Sequence, residues 1–593
     1  MGSTTLVGTA PITVEPRASA QVRDGRTPLA STAAFAGIAA LTLLAPFEQT
    51  APLLTLPGQS ISNLEALLFG SFAVFAASMI WSRRVPAWRT PLTVPALAFL
   101  AASSIAAAVA PVARTNAVHM AMRLGVAFGV YALTVSGITS RVRLATVAAI
   151  AIVAGALVSV LAILEFFKVP AVLLWLKAYR PFLVSVGALV RAGGPLQYPT
   201  IASMFLEVVF AIGIGLMLMA ADASRRAIAA VLFIVLCVIA YGVTLTFTRS
   251  GLITMAASLA IVGALRIRSR GVDNGAALVA LLAASVLGVF FASRSAQAIW
   301  LRFTTEGQET WYRATIAAPA DLTLGAGVTT QVPVTLTNAG RLVWSSADES
   351  PFYLSYHWLV VDEDRVVNFE GIRTPFPWPV APSQSVTLLA KVRGPRHPGR
   401  YRLTWDVVQE HRLWFSREPG AIAAVTLATV AGESVLEPMR TTPPPKAAVR
   451  PGRLVLWRAA ARMIAAHPLL GVGPDNFRLL YAGYADLPAA DTRMHSNNMY
   501  IEVLAGGGLV AGLAFAWLLW TVATLLAAII GSNRADTIAL ASGVIAGIVA
   551  IALHGLLDSF LEFAPTYILF AVTLGLAAVC ARGVESGSDA HRV

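Results

Sequence analysis

Cysteine is almost absent from this 593-residue chain, and charge is sparse. The two cysteines, Cys237 and Cys580, fall inside apolar runs with no cysteine or histidine at metal-ligand spacing nearby, which excludes a disulfide-stapled fold and a thiolate zinc site. They read as lipid- or core-facing thiols. Charged residues supply only 13% of the chain against 57% hydrophobic, too few to solvate a water-soluble globule of this size. Acidic residues are the scarcer sign, 31 Asp+Glu against 44 Lys+Arg, for a net charge of +13. Many of the surplus arginines sit in short loops between apolar runs, a topology signal and not a polyanion groove, so nucleic acid is not an expected partner. The polar first 28 residues, with Arg17, Arg23 and Arg26, also lack the cleavage site of a secretory leader, and the first apolar run reads as a retained signal-anchor.

What the chain has in abundance is apolar runs of bilayer length. They lie near 30–47, 64–82, 91–112, 119–138, 144–166, 198–220, 227–247, 251–265, 275–293, 508–530, 536–556 and 564–581. About 20 residues at helical rise cross the hydrocarbon layer, so the fold class is an all-α polytopic membrane protein of about twelve transmembrane helices. Arg83, Arg84 and Arg89, then Arg141 and Arg143, Arg225 and Arg226, Arg266, Arg268 and Arg270, and Arg534 occupy alternate loops, which are therefore cytoplasmic. The chain divides into a cytoplasmic tail at 1–29, a membrane bundle at 30–293, C-terminal membrane helices at 508–581 and a second cytoplasmic tail at 582–593. The long segment between 294 and 507, the 167–197 loop, Arg249 and His495 fall on the other side.

Within that segment a connector at 294–319 leads into strand periodicity. Val332, Val334 and Leu336 alternate with polar neighbours, as do Leu354, Tyr356, Trp358 and Val360, then Val386–Val392 and Tyr401–Val407. Residues 320–432 are expected to form an extracytoplasmic β-sandwich. A proline-rich linker follows at 433–452, its Pro443–Pro445 run excluding helix and sheet. Residues 453–507 hold amphipathic helices and a polar loop that would be the catalytic one. Leu454–Ala466 is one such helix, ended by His467-Pro468 and the turn GVGP.

Few side chains are placed to do chemistry. Arg249, in TFTRSG, is a single guanidinium between two apolar runs on the side where positive charge is disfavoured, and its planar donor fork suits a phosphate or diphosphate. The plainer alternative is an arginine snorkelling to headgroups. Arg458 and Arg462, one turn apart, would form a second basic wall or merely a solvated face. Lys168, Lys177, Arg180 and Arg191 add positive charge to the 167–197 loop, making an electropositive cavity for an anionic lipid-linked substrate. His495 sits in DTRMHSNNMYIEVL at the start of an apolar segment. A neutral imidazole there can take a proton from a sugar hydroxyl, with Asn497 and Asn498 orienting the acceptor; the alternative is a packed or capping histidine. Glu502 is the nearest other base. His554 and Asp558, four apart, are a polar contact or, less simply, a metal pair or relay.

The order TRSG, then R…LW…A…HPLLGVGPDNF, then MHSNNMYIEVLAGGGLVAGL resembles the O-antigen ligase and polysaccharide polymerase family of bacteria, which includes oligosaccharide transferases acting on proteins. The resemblance implies a transferase of the bacterial cytoplasmic membrane working on its extracytoplasmic face. It would move or polymerise glycan from an undecaprenyl-diphosphate-linked donor onto a hydroxyl of a glycan, lipid or protein acceptor, with inversion and with no metal or cofactor. By the family's pattern Arg249 and Arg453 hold the diphosphate, Arg191 matches a weaker position, and His495 is the activating base; Arg458, from the basic face of its helix, is expected to assist together with Arg191. Two positions depart from it: Gly506 stands where an acid is frequent and Tyr198 where asparagine is common. The β-rich insertion is absent from the simple ligase pattern. Its YLSYHWL, GIRTPFP and PGRYRLTWDVVQEHRLWFS segments resemble Ig-like domains; core packing accounts for most aromatics of a sandwich, and exposed Trp and Tyr are the alternative, able to stack on sugar rings. Two other classes accommodate the same arginines: a flippase of lipid-linked glycans and a non-catalytic scaffold recruiting wall glycan.

Overall fold

In the computed structural model the described residues are 29–583, apart from 57–58, 84, 181–183, 187–188, 295, 305–309, 348–350, 362–364, 411–412, 419–423, 435–450, 488–490 and 533–534. The N-terminal tail, nearly all of the C-terminal tail, most of the proline-rich linker and the orienting Arg84 and Arg534 lie outside them.

The twelve apolar runs all become helices. Those of the N-terminal bundle are α1 (Leu29–Leu44), α2 (Asn63–Ser82), α3 (Thr93–Ala108), α4 (Arg114–Gly137) and α5 (Arg141–Phe166); after the short α6 (Pro170–Leu176) come α7 (Pro199–Asp222), α8 (Arg226–Thr246), α9 (Arg249–Arg270) and α10 (Asn274–Ser293). Local signals set several starts. Ser62 and Glu65 form a reciprocal capping box on α2, and the Asp273 carboxylate accepts the Ala276 N–H that opens α10. Ten of the described helices are long and apolar enough to cross a membrane, while α3 and the apolar stretch Ile538–His554 are shorter, so the chain is a multi-pass membrane protein. Helix α7 is sealed at the centre of the bundle. Its Gly215 lies so close to the last of these short helices that an added Cβ would sit 2.8 Å from the Ala539 carbonyl.

The connector is not featureless: it contains α11 (Ala296–Thr304). Strands then begin at Ala314, earlier than the expected 320, and run to Ala431. Before them come two small hairpins, β1 with β2 (Leu54–Leu56, Gln59–Ile61) and β3 with β4 (Val184–Val186, Leu189–Arg191). The insertion contributes β5 (Ala314–Ala317), β6 (Asp321–Gly325), β7 (Thr329–Asn338), β8 (Phe352–Val360), β9 (Val366–Asn368), β10 (Thr374–Pro375), β11 (Ser385–Arg393), β12 (Gly399–Gln409), β13 (Leu413–Trp414) and β14 (Ala424–Ala431). One sheet runs β10-β8-β12-β14-β6, with β6 parallel to β14; the other runs β11-β7-β5. Strand β11 alternates without a fault, burying Val386, Leu388, Ala390 and Val392 against β7, and both sheets share one buried cluster. Tyr356, Trp358 and Trp405 belong to that cluster. The aromatics are mainly core, as most in a sandwich are, and Trp378, 57% exposed, is the exception among the described aromatic side chains of the insertion.

The last section holds α12 (Arg453–Ala466), α13 (Phe477–Tyr484), α14 (Met499–Gly531), α15 (Ala535–His554) and α16 (Ala564–Arg582). Helix α14 starts at Met499 and not near 508, because Asn498 caps it and the helix continues through a kink at Gly508.

Candidate active site

The HPLLGVGPDNF and AGGGL motifs are two halves of one joint. Gly508 adopts φ 62, which breaks the helical ladder of α14. In an unbroken helix Leu509 and Val510 would donate to the carbonyls of Ala505 and Gly506. Here Val472 and Gly473 donate to those carbonyls at 3.0 and 2.8 Å, while Leu509 and Val510 donate to Pro468 and Leu469 at 2.8 and 3.1 Å. A Cβ on Gly508 would lie 2.4 Å from the Leu469 backbone. The joint locks the turn that carries Asp475 against the helix that carries Glu502.

His495 stands just before α14. Asn497, at φ 55, turns the chain, and the Asn498 Oδ1 accepts the N–H groups of Tyr500 and Ile501 while its Nδ2 donates to the Leu556 carbonyl. The His495 Nδ1 lies 3.3 Å from one Glu502 oxygen, and the other accepts the Ser496 N–H at 2.8 Å. Asp475, gripped by Arg478 through two bonds of 2.9 Å, and Glu562 complete the surroundings. Ser559 Oγ donates to Glu562 Oε1 at 2.9 Å, and Glu562 Oε2 is buried with no hydrogen-bond partner. His495, Asp475, Arg478 and Glu562 line a cavity of about 250 Å³ together with Glu48, Glu65, Arg123, Tyr198 and Arg493. Burial pulls the His495 pKa down, but the charge of Glu562, the Glu502 bond and charge, and Asp475 outweigh it and hold the imidazole up at about 10. Burial pushes Glu562 up to about 7, with Glu502 and Asp475 adding to the rise against the pull of His495. Ligand atoms of Asp475, His495 and Glu562 all lie within 4.8 Å of one another, close enough to hold a metal ion as well as a proton.

Guanidinium groups gather beside this cavity. Arg249 is the first residue of α9. Arg302 of α11 donates from Nε to the Phe247 carbonyl at 2.9 Å; its burial, followed by the charges of Arg249 and Arg453, pulls its pKa down to about 10. Arg453 donates to the Leu557 carbonyl at 3.1 Å. The next residue, Asp558, is held up chiefly by burial and feels both Arg453 and His495, so the 555–563 loop joins the two clusters. Arg191 donates to the Thr246 carbonyl at 2.9 Å and to Thr248 Oγ1 at 3.0 Å, bracing the backbone that leads into Arg249. Beneath it His554 lies fully buried between Ser250 Oγ at 2.9 Å and Glu207 Oε1 at 2.6 Å, with Thr254 donating to the same Glu207 carboxylate. This buried polar contact anchors the start of α9.

Residues 420–516 match the sequence model of the O-antigen ligase family, a span containing α12, α13 and the glycine joint. That stretch is similar to the O-antigen ligase family over about a sixth of the chain. No curated protein matches the chain. The similarity supports membrane glycan transfer in general.

Several expected site residues are placed differently. Arg458 is exposed, and five residues from Arg453 amount to about 140° around α12, so it does not join the cluster. Arg462 pairs with Asp486 at 2.9 Å. Asn498 spends its amide on the helix cap and on Leu556, which leaves it a structural part and not an acceptor-orienting group. Lys168 and Lys177 are exposed, and Arg180 is buried against Glu165, whose other oxygen accepts the Gly193 and Gly194 N–H groups. The resting imidazole carries its proton near pH 7, contrary to the neutral base expected. Glu562, Asp475 and Arg302 had drawn no notice. Neither the carboxylates nor Arg302, in IWLRFTTE, has a spacing signal in the chain.

Proposed function

We propose that the chain transfers glycan from a polyprenyl-diphosphate donor to an acceptor hydroxyl on the extracytoplasmic face of a bacterial cytoplasmic membrane, with inversion at the anomeric carbon. The supporting observation is that Arg249, Arg302 and Arg453 feel one another's charge, and that Arg453 and His495 both act on Asp558 beside a cavity lined by His495, Glu562 and Asp475. Diphosphate is a competent leaving group, and guanidinium groups fixed where its negative charge grows stabilise the transition state without moving. The acceptor oxygen forms its bond to the anomeric carbon as the bond from that carbon to phosphate oxygen breaks, and polyprenyl diphosphate departs. The acceptor proton passes to the His495–Glu562 pair. Glu562, poised near neutrality, is its accepting member, and His495, oriented by Glu502, holds the hydroxyl and shares the proton. Arg249 and Arg453 bind the diphosphate, and Arg191 positions Arg249. The two-sheet insertion is read as Ig-like and stands on the same side as the site.

The test uses the purified full chain in lipid nanodiscs with a polyprenyl-diphosphate-linked oligosaccharide. Arg249→Ala and His495→Ala should each lower transfer by about a hundredfold or more, the scale of losing one charge-aligned group. Transfer by either variant at the wild-type rate would remove its residue from the reaction.

A further inference from the structure

Three consecutive residues of α11 meet three different neighbours. Leu301 is buried in the cluster that holds Trp311, Tyr312 and the core of the two sheets. Arg302 is tied to the Phe247 carbonyl, two residues ahead of Arg249. Phe303 lines an apolar cleft between α9 and α10.

The cleft encloses about 780 Å³. It runs from Leu252, within one turn of Arg249, to Ile267 near the opposite end of the helix, a rise of about 22 Å. Small residues leave the space: Ala256, Ala260 and Gly263 on α9 face Ala280 and Ala283 on α10. At its mouth, no carboxylate of the described residues lies within ion-pair distance of Arg302, which sits under the charges of Arg249 and Arg453. Packed cations of one sign repel, and a polyanion placed among them relieves that repulsion. A slot that is apolar along its length and ends in guanidinium groups fits a molecule with one long hydrocarbon chain and a doubly phosphorylated head.

We infer that Arg302 is a third guanidinium on the donor's diphosphate and that the α9–α10 cleft seats the isoprenoid chain of the same molecule. The inference rests on the donor class proposed above. It also gives the insertion a mechanical part: the Leu301 anchor in the sheet core fixes the helix that presents Arg302, so the domain holds one wall of the donor site.

Two measurements on the full chain in nanodiscs test it. The first is equilibrium binding of sugar-free polyprenyl diphosphate, with phosphatidylglycerol as competitor. The second is transfer from two donors carrying the same glycan, one on a long polyprenyl diphosphate and one on a two-isoprene diphosphate. Arg302→Gln should weaken polyprenyl diphosphate binding about tenfold to a hundredfold, as expected for a lost charged donor, and Arg302→Lys should restore part of it. Ala260→Trp, which fills the cleft from its exposed side, should raise KM for the long donor and leave the short donor unchanged. Unaltered binding by Arg302→Gln overturns the headgroup assignment. Equal effects of Ala260→Trp on both donors, or displacement by phosphatidylglycerol at equal concentration, overturn the chain site. Binding that follows these expectations without any transfer would leave this inference standing and sink the proposed reaction.

Discussion

Replacing Glu562 by glutamine separates catalysis from stability at one atom. The carboxyl is pushed from its ordinary 4.5 to about 7. Its ionised form is therefore disfavoured in the folded protein, and the sign follows. Below pH 4.5 the folded and unfolded chains both hold the proton and nothing is lost; between 4.5 and about 7 the folded protein bears a growing cost, which stays constant above that range. That shift corresponds to about 3 kcal/mol above neutrality, less whatever the His495 imidazolium loses with the Glu562 charge. Glu562→Gln should accordingly unfold at a higher temperature than wild type at alkaline pH, with the gain vanishing in acid. It should also be nearly inactive, since removing a positioned proton acceptor typically costs a hundredfold to ten-thousandfold, roughly. In the wild type kcat should rise with pH along a limb centred near 7, and the residual rate of Glu562→Gln should lack that limb. Steady-state transfer across this pH range and thermal unfolding at its two ends are the assays. A variant that keeps both the limb and more than half the wild-type rate would show that the proton goes elsewhere.

Further outcomes follow from the same contacts. Gly508→Ala should prevent the joint with Leu469 from closing, since its φ of 62 is unfavourable for alanine and the added carbon meets backbone at 2.4 Å; loss of folded, monodisperse protein is the expected readout. Asn498→Ala should cost about 1–2 kcal/mol through the lost cap, read as a lower unfolding temperature, while KM for the acceptor stays put; a raised acceptor KM would return Asn498 to the substrate. Exhaustive chelation should leave transfer unchanged if Asp475, His495 and Glu562 handle a proton. Inactivation restored by a divalent cation would instead make them metal ligands. His495 is raised to about 10, so the stability it gains from its carboxylates is fully present below about 6.5 and should fade as pH climbs through 10.

The membrane spans and the strands of the insertion were legible because both are short-range patterns. An apolar run of bilayer length needs no partner to declare itself, and the alternation of Val386, Leu388, Ala390 and Val392 reports a buried face within nine residues of chain. The turn GVGP and the AGGG segment were visible too, although only their docking shows that Gly508 is required by the crossing of two backbones. The ligase resemblance pointed to Arg249, Arg453 and His495 in the same way, through residues close to their motifs.

The composition of the site was a different matter. Arg302, Asp475 and Glu562 come from the connector after α10, the turn after α12 and the loop after α15, and no local period relates positions so far apart. The same three-dimensional packing set the charge state of His495, which depends on carboxylates that the chain brings near only on folding, and it turned Arg458 outward while Asn498 became a cap. Sequence by itself determined which segments enter a bilayer, which pair as strands and which short motifs are present, since those depend on neighbours a few residues away. Which charges meet, and which of them keep a proton, the tertiary structure alone decided, because Coulomb interactions and desolvation act through space and take no account of distance along the chain.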